Sequence, residues 1–346
     1  MTPAEAANLP RYHGQRGHYE AWFLELMDGS RSSGLSLRFA LRIPKDPKEA
    51  PTAELWACFH DHAAPARSFG LKHELPLGEA HLSKDRFSVG IGAGTLEHYG
   101  SRGTIERDGH TLRWDLSWSE DLLFSHLPFP ALYQRRYPRT KILAPHANLI
   151  ASGRFWVDGD EHRLEHVRGV QAHQWGETHP RRWIWCQVPG FVEDPEASLE
   201  CLTADVAMGP LRLPPLTLHV LRYKGEVLAL NRVQDVLRKN ESRTDAKLHL
   251  EDSYALGRWT VGGGNERLRF HGEVWADPER YLGLTYLDPD GSKRYVSRTK
   301  VGAARIEILS PDTHGGWRVS DTLHAHSWAA IEFGGQQPEA RIRTWL

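Results

Sequence analysis

Three residues that could handle a proton, His173, Glu177 and His179, fall within seven positions together with Gln174, Trp175 and Gly176. Trp183-Ile184-Trp185 and Gln187 follow at once, so three tryptophans lie within eleven residues. A desolvated carboxyl group keeps its proton more tightly, and an imidazole can orient it or relay that proton. Indole faces attract a cation by about 0.5–2 kcal/mol. Together these groups suit a proton donor that faces an electron-rich hydrocarbon across an apolar wall. Asp205 is a candidate donor, which alternation along 199–207 puts on the face of Leu199, Cys201 and Thr203. His173 is its expected partner and Glu177 a second acid. Trp175, Trp183, Trp185 and Gln187 would line the substrate, together with Trp22 and Glu20, which alternation places on one face.

Each of these residues also has a structural reading, and the sequence leaves both open. For Asp205 the alternative is the end of a strand at a turn, and for Glu177 an ion pair with Arg181 or Arg182 in a loop. Glu20 is either a pocket residue or an exposed one. His173 is either a relay or a buried imidazole bonded to backbone, and the indoles are either a cation wall or plain core. Gly176 reads as a close backbone approach.

The elements that must position these groups are strands. Leu35, Leu37, Phe39, Leu41 and Ile43 alternate with polar or small residues, and so do Leu112, Trp114, Leu116 and Trp118. Asp108-Gly109, Asp158-Gly159 and Lys224-Gly225 are hairpin turns between such runs. The only helical candidate of note is Leu122–Tyr133, interrupted by Pro128 and Pro130. Many short strands with tight turns predict an all-β chain of barrels or sandwiches. At 346 residues the chain exceeds a single core of roughly 250–300 residues, so two domains are expected. The prolines and glycine of 209–215 put the break near Met208, giving domains 1–208 and 209–346.

Composition narrows the function classes. The net charge of −1 argues against nucleic acid, which needs a basic field. No apolar run approaches the roughly 20 residues of a membrane span, and the first residues lack the pattern of a secretory signal. A cytoplasmic location is expected, with peripheral membrane contact as a route to a hydrophobic substrate. Three cysteines without a Cys-x-x-Cys spacing suggest neither a disulfide framework nor a zinc site. His60-Asp61-His62 and His324-Ala325-His326 each put two imidazoles on one strand face, but neither has further ligands at a metal spacing. No nucleophile elbow and no phosphate loop is present.

Three patches carry a resemblance. Tyr19 to Leu26 with Leu35 to Pro44, the stretch His146 to Gln187, and Ala329 to Gly335 resemble the superfamily of tocopherol cyclases, carotenoid 1,2-hydratases and AttH-like proteins. The middle patch is the most specific. Its His173-Gln174-Trp175-Gly176 is similar to the hydratase and AttH branch, whereas Pro180-Arg181-Arg182-Trp183 is more like the cyclases. The resemblance implies two lipocalin-like antiparallel β-barrels, a hydrophobic isoprenoid or prenyl-quinol-like substrate, and no cofactor or metal. It also implies an acid at the place of Asp205, as in the hydratase branch, and this makes Asp205 the first choice of donor. The expected function is a cofactor-independent cyclase or hydratase. The alternatives are a non-catalytic carrier of a hydrophobic small molecule or a pericyclase-type protein.

Overall fold

The computed structural model describes residues 1–119, 123–205, 207–208, 211–212, 215–232, 235 and 258–346. After a short helix α1 (Pro3–Asn8) the chain is built of strands. The first group is β1 (His18–Asp28), β2 (Ser33–Ile43), β3 (Thr52–Asp61), β4 (Phe69–Pro76), β5 (His81–Leu82) and β6 (Ser88–Ile91). It continues with β7 (Gly94–Glu97), β8 (Gly100–Arg107), β9 (His110–Trp118), β10 (Phe124–Ser125), β11 (Thr140–Val157) and β12 (Asp160–Gly176). The second group opens with β13 (Trp183–Val188), β14 (Ser198–Ala204), the small pair β15 (Ala207–Met208) and β16 (Leu211–Arg212), β17 (Leu216–Tyr223) and β18 (Glu226–Leu230). It closes with β19 (Trp259–Gly264), β20 (Arg269–Trp275), β21 (Leu282–Leu287), β22 (Lys293–Pro311) and β23 (Trp317–Gly335).

Among the described residues these strands form two large antiparallel sheets. One runs β4-β3-β2-β1-β12-β11-β9-β8-β7-β6-β5, with β10 added to β11. The other runs β18-β17-β14-β13-β23-β22-β20-β19, with β21 added to β22. In the first, β3 and β4 come back against β6 and β8, so the sheet curls into a barrel. Its interior holds Trp22, Leu24, Leu37, Phe39, Leu55, Phe59, Trp114 and Phe155, all essentially sealed from solvent. The second encloses Ile184, Leu199, Leu221, Trp259, Phe270, Ile306 and Phe333. Each such large apolar side chain contributes about 1.5–3 kcal/mol by leaving water. The hairpins sit where Asp-Gly and Lys-Gly pairs demand them. Asp108 and Gly109, and likewise Lys224 and Gly225, have positive φ, the conformation a two-residue turn needs.

Two expectations change. The sheets exchange between Gly176 and Trp183, so Trp183-Ile184-Trp185 opens the second sheet rather than closing the first. The expected break at 208/209 lies past two strands already committed to the second sheet, and Gly209 and Pro210 are outside the described residues. The helix expected over Leu122–Tyr133 is reduced to a 3-10 turn at Pro130–Tyr133, with β10 before it; Leu122 is outside the described residues. Pro130 opens that turn, as a residue without an N–H can.

The two barrels meet through a third apolar cluster: Met27, Trp56, Cys58, Ala144, Val170, Ala172, Trp183, Trp185, Leu284, Tyr286 and Val296 among others. β1 and β12 form the first barrel's wall here. Alternation sends Trp22, Leu24 and Leu26 into the first barrel and Phe23 and Met27 toward the second.

Candidate active site

The second sheet's contribution to this interface follows from the period of two. In β13, Ile184, Cys186 and Val188 enter the second core, leaving Trp183, Trp185 and Gln187 to face the first barrel. In β14, Leu199 and Cys201 enter that core, so Glu200 turns to the interface. Gln187 and Glu200 are direct cross-strand partners. The Glu200 carboxylate accepts hydrogen bonds at Oε1 from the Trp185 indole (3.0 Å) and from His126 Nε2 (2.8 Å). His126 reaches across from the segment after β10. Both members of the pair are buried, and His126 Nδ1 has no partner. Burial would raise the carboxyl pKa, but the charge and hydrogen bond of His126, aided by the indole N–H, hold Glu200 below the usual carboxylate range. The imidazole nitrogen turned away from Glu200 has no partner and is the one placed to give or take a proton.

Three further polar groups surround the indoles. Trp183 Nε1 donates to Glu332 Oε1 at 2.8 Å. Glu25 on β1 is sealed between Arg298, hydrogen-bonded to it, and Lys300, whose Nζ lies 3.0 Å from Glu25 Oε2 and 5.1 Å from the centre of the Trp185 ring. Burial and the neighbouring Arg298 outweigh Glu25 and bring Lys300 down to about 8. In the link between the sheets, His179 Nδ1 lies 2.7 Å from Asp288 Oδ1, with its ring stacked on Tyr19 at 4.1 Å and near Trp183. Arg294 holds the other oxygen of Asp288 at 3.1 Å.

The residues singled out from the sequence do not converge on one site. Trp183, Trp185 and Gln187 are at the interface. Glu20, Trp22, His173 and Trp175 are on the other side of the β1–β12 wall, at the mouth of the first barrel. There α1 closes the opening. The Trp22 indole donates to the Asn8 carbonyl (2.8 Å) and His173 Nδ1 donates to that of Ala7 (2.9 Å), satisfying two carbonyls of the helix's last turn. Asn8 and Gln171 exchange amide hydrogen bonds of 2.7 and 3.0 Å. Glu20 accepts from His173 Nε2 (2.8 Å), His18 Nε2 (3.2 Å) and the Arg11 N–H (2.6 Å). Burial pushes its carboxyl up, but the bonds from His173 and His18 prevail and bring it down to about 2. Trp175 carries Arg11 over its ring at 5.3 Å.

Asp205 is a correction. It lies just past the end of β14, partly exposed, with Arg182 at 2.9 Å, so it is a strand-end ion pair and not an acid held among apolar groups. Glu177 is at the rim and pairs with Arg136 (3.0 Å) and Arg139 (3.8 Å), not with Arg181 or Arg182. His173 does orient a carboxylate, but that carboxylate is Glu20. The expectation of a neutral carboxylic acid also changes. Every buried carboxylate described above sits below its ordinary range, because each has a cationic or imidazole partner.

No family model matches the chain. Two uncharacterized proteins from strains of Mycobacterium tuberculosis are 28% identical over 329 residues, which is 92% of this chain and 89% of theirs. Among solved structures, an AttH-like protein from Nitrosomonas europaea superposes with a TM-score of 0.54 at 12% identity, over 97% of this chain and 98% of that one. The chain has the two-barrel lipocalin-like fold of the AttH-like proteins. The same AttH-like fold is found in kievitone hydratase from Nectria haematococca, with a TM-score of 0.55 at 12% identity over 96% and 92% of the two chains. CghA, solved with Sch210972, shares it too, with a TM-score of 0.55 at 11% identity over 97% and 93%. A hydratase is thus one of the activities that this AttH-like fold carries.

Sequence reasoning missed Glu200 and His126. Glu200 has the parity opposite to the one favoured along 199–207, and pairing Gln187 with Glu200 across the 189–197 turn would have exposed it. His126 lies in a segment without period, where no local signal marks it.

Proposed function

We propose that the chain is a cofactor-independent general acid–base enzyme acting on a C=C bond of a hydrophobic small molecule at the interface between its barrels. The observation that carries this reading is the buried His126–Glu200 pair with its unbonded imidazole nitrogen. Glu200 fixes the ring and stabilises its cation. His126 Nδ1 transfers the proton. The Trp183 and Trp185 rings provide the apolar, cation-tolerant flank. An imidazolium is a milder acid than a neutral carboxyl in an apolar pocket. It suits an alkene polarised by a conjugated carbonyl or phenol better than an isolated isoprenoid double bond. The fold shared with kievitone hydratase supports alkene chemistry. No described helix is long and apolar enough to cross a membrane, and a membrane surface as the source of substrate belongs to this proposal.

A second reading, a carrier of a hydrophobic molecule, is favoured by the close packing of Trp183, Trp185 and Tyr286 in one cluster. Deuterium uptake separates the two. Purified protein is incubated in D2O with benzalacetone, chalcone and a prenylated quinol, and carbon-bound deuterium is followed by mass spectrometry. Enzymatic uptake that falls about 10²–10⁴-fold in His126→Gln and Glu200→Gln is expected for general acid–base catalysis. Uptake indifferent to both variants, or intact molecules bound with no uptake at all, would leave the carrier reading standing.

A further inference from the structure

Gln187, Glu200, Ser198 and Arg222 line a partly open recess of about 10 Å³ at the barrel interface, with Phe124, Ala147 and Val220 around them. That volume is the size of one water molecule. The orientation of Gln187 is fixed by a feature of β11. The pairing of β11 with β12 slips between His146 and Leu149, so Ala147 has no ladder partner there. Its carbonyl accepts instead from Gln187 Nε2 at 2.8 Å. The amide is thereby pinned, and its Oε1 is buried with no partner in the protein. A buried carbonyl oxygen left unbonded is costly, and a water seated in the recess would supply the missing donor.

We infer that this recess is the seat of a reacting water, held by Gln187 Oε1 and Glu200, so that the reaction is hydration or dehydration of the double bond rather than cyclisation. This rests on the reading of His126–Glu200 as the acid–base pair. In the hydration direction His126 Nδ1 gives its proton to one alkene carbon, and the π electrons form that C–H bond. The water oxygen bonds to the other carbon, and Glu200 takes the proton the water releases. The pair's net charge is unchanged, and proton exchange through solvent moves the proton from Glu200 back to His126. One H and one OH are added, and nothing is oxidised or reduced. Gln187 is a positioning residue for the water and leaves the proton donor untouched.

The test uses the same three probes in D2O enriched in oxygen-18. Wild type is expected to place both deuterium and oxygen-18 in the product. In Gln187→Leu, which keeps the bulk and removes the acceptor, oxygen-18 incorporation should fall at least tenfold further than deuterium uptake. Gln187→Glu, which restores an acceptor oxygen, should recover part of it. Deuterium without oxygen-18 in wild type, or equal loss of both labels in Gln187→Leu, would overturn the water seat while leaving the acid–base pair in place. No deuterium in wild type ends the acid–base reading, and the water seat with it. A crystal structure of the wild type gives an independent readout: an ordered water within hydrogen-bond distance of Gln187 Oε1 and Glu200 is expected, and an apolar or unfilled recess there would refute it.

Discussion

Glu20 and Glu25 stand an odd number of positions apart on β1 and face opposite sides of it. Glu20 points into the first barrel, where His173, His18 and the Arg11 backbone bind it. Glu25 points at the second barrel, where Arg298 and Lys300 enclose it. One strand thus carries two buried carboxylates with separate duties, one holding the N-terminal segment and one holding the barrels together.

Glu25→Ala should be among the most destabilising single changes in the chain. It leaves Arg298 and Lys300 buried without their shared counter-charge. Removing one partner of a buried ion pair costs about 3–5 kcal/mol. Lys300→Met should cost less, because Arg298 still neutralises Glu25. Urea unfolding of the three proteins checks the order. A loss in Glu25→Ala no greater than in Lys300→Met would show that the interface charges are hydrated and weak.

Glu20 makes a prediction in acid. Its folded pKa of about 2 lies below the ordinary 4.5, so its contribution is full above about pH 4.5 and drains away as the pH falls toward 2. The shift corresponds to about 3 kcal/mol. His179 acts in the same direction at higher pH. Burial lowers its pKa despite Asp288, so the stability it lends is present above the ordinary 6.5 and lost as the pH drops below it. Stability against pH should therefore fall in two stages on the acid side. Glu20→Gln should flatten the lower stage and leave the upper one; a variant curve parallel to wild type across pH 2–4.5 would refute the assignment.

The period of two made the all-β class, the tight turns and the shared face of Glu20 and Trp22 legible in the sequence. The close approach at Gly176 was also legible: a Cβ there would meet the Arg139 carbonyl at 2.0 Å. Period alone cannot say which barrel a face belongs to. Trp175 and Trp183 read as one wall because they are close in sequence, yet the chain changes sheet between them. The same blindness favoured Asp205 over Glu200. Both lie in one segment, but only strand pairing shows that Glu200 meets Gln187 and that Asp205 has run past the strand's end. His126 comes from a stretch without pattern, and only the tertiary fold brings it to Glu200.

The plug at the first barrel's mouth can be tested at Asn8. Its side chain exchanges two hydrogen bonds with Gln171, and both residues are buried. Asn8→Ala leaves the Gln171 amide with two unmet bonds, a loss of about 1–3 kcal/mol. The second prediction from the same contact is local: amide exchange in residues 3–9 should speed up more than in β22 or β23. Uniform acceleration across both barrels would mean that α1 does not act as a separate closure.

The seat of Trp183 depends on a missing side chain. Gly334 is its cross-strand partner on β23, and a Cβ at that position would lie 2.0–2.2 Å from atoms of the indole. In Gly334→Ala the ring must leave the interface and give up its 2.8 Å bond to Glu332. Overpacking of this kind costs about 1–3 kcal/mol. A double-mutant cycle isolates the contact. Gly334→Ala should be costly beside Trp183 and nearly neutral in a Trp183→Ala background, where the space is open. Deuterium uptake should fall in Gly334→Ala along with stability, since the displaced indole no longer flanks the substrate. Equal costs in the two backgrounds would place the strain in the β13–β23 backbone and remove the reason for regarding Trp183 as held in place by that glycine.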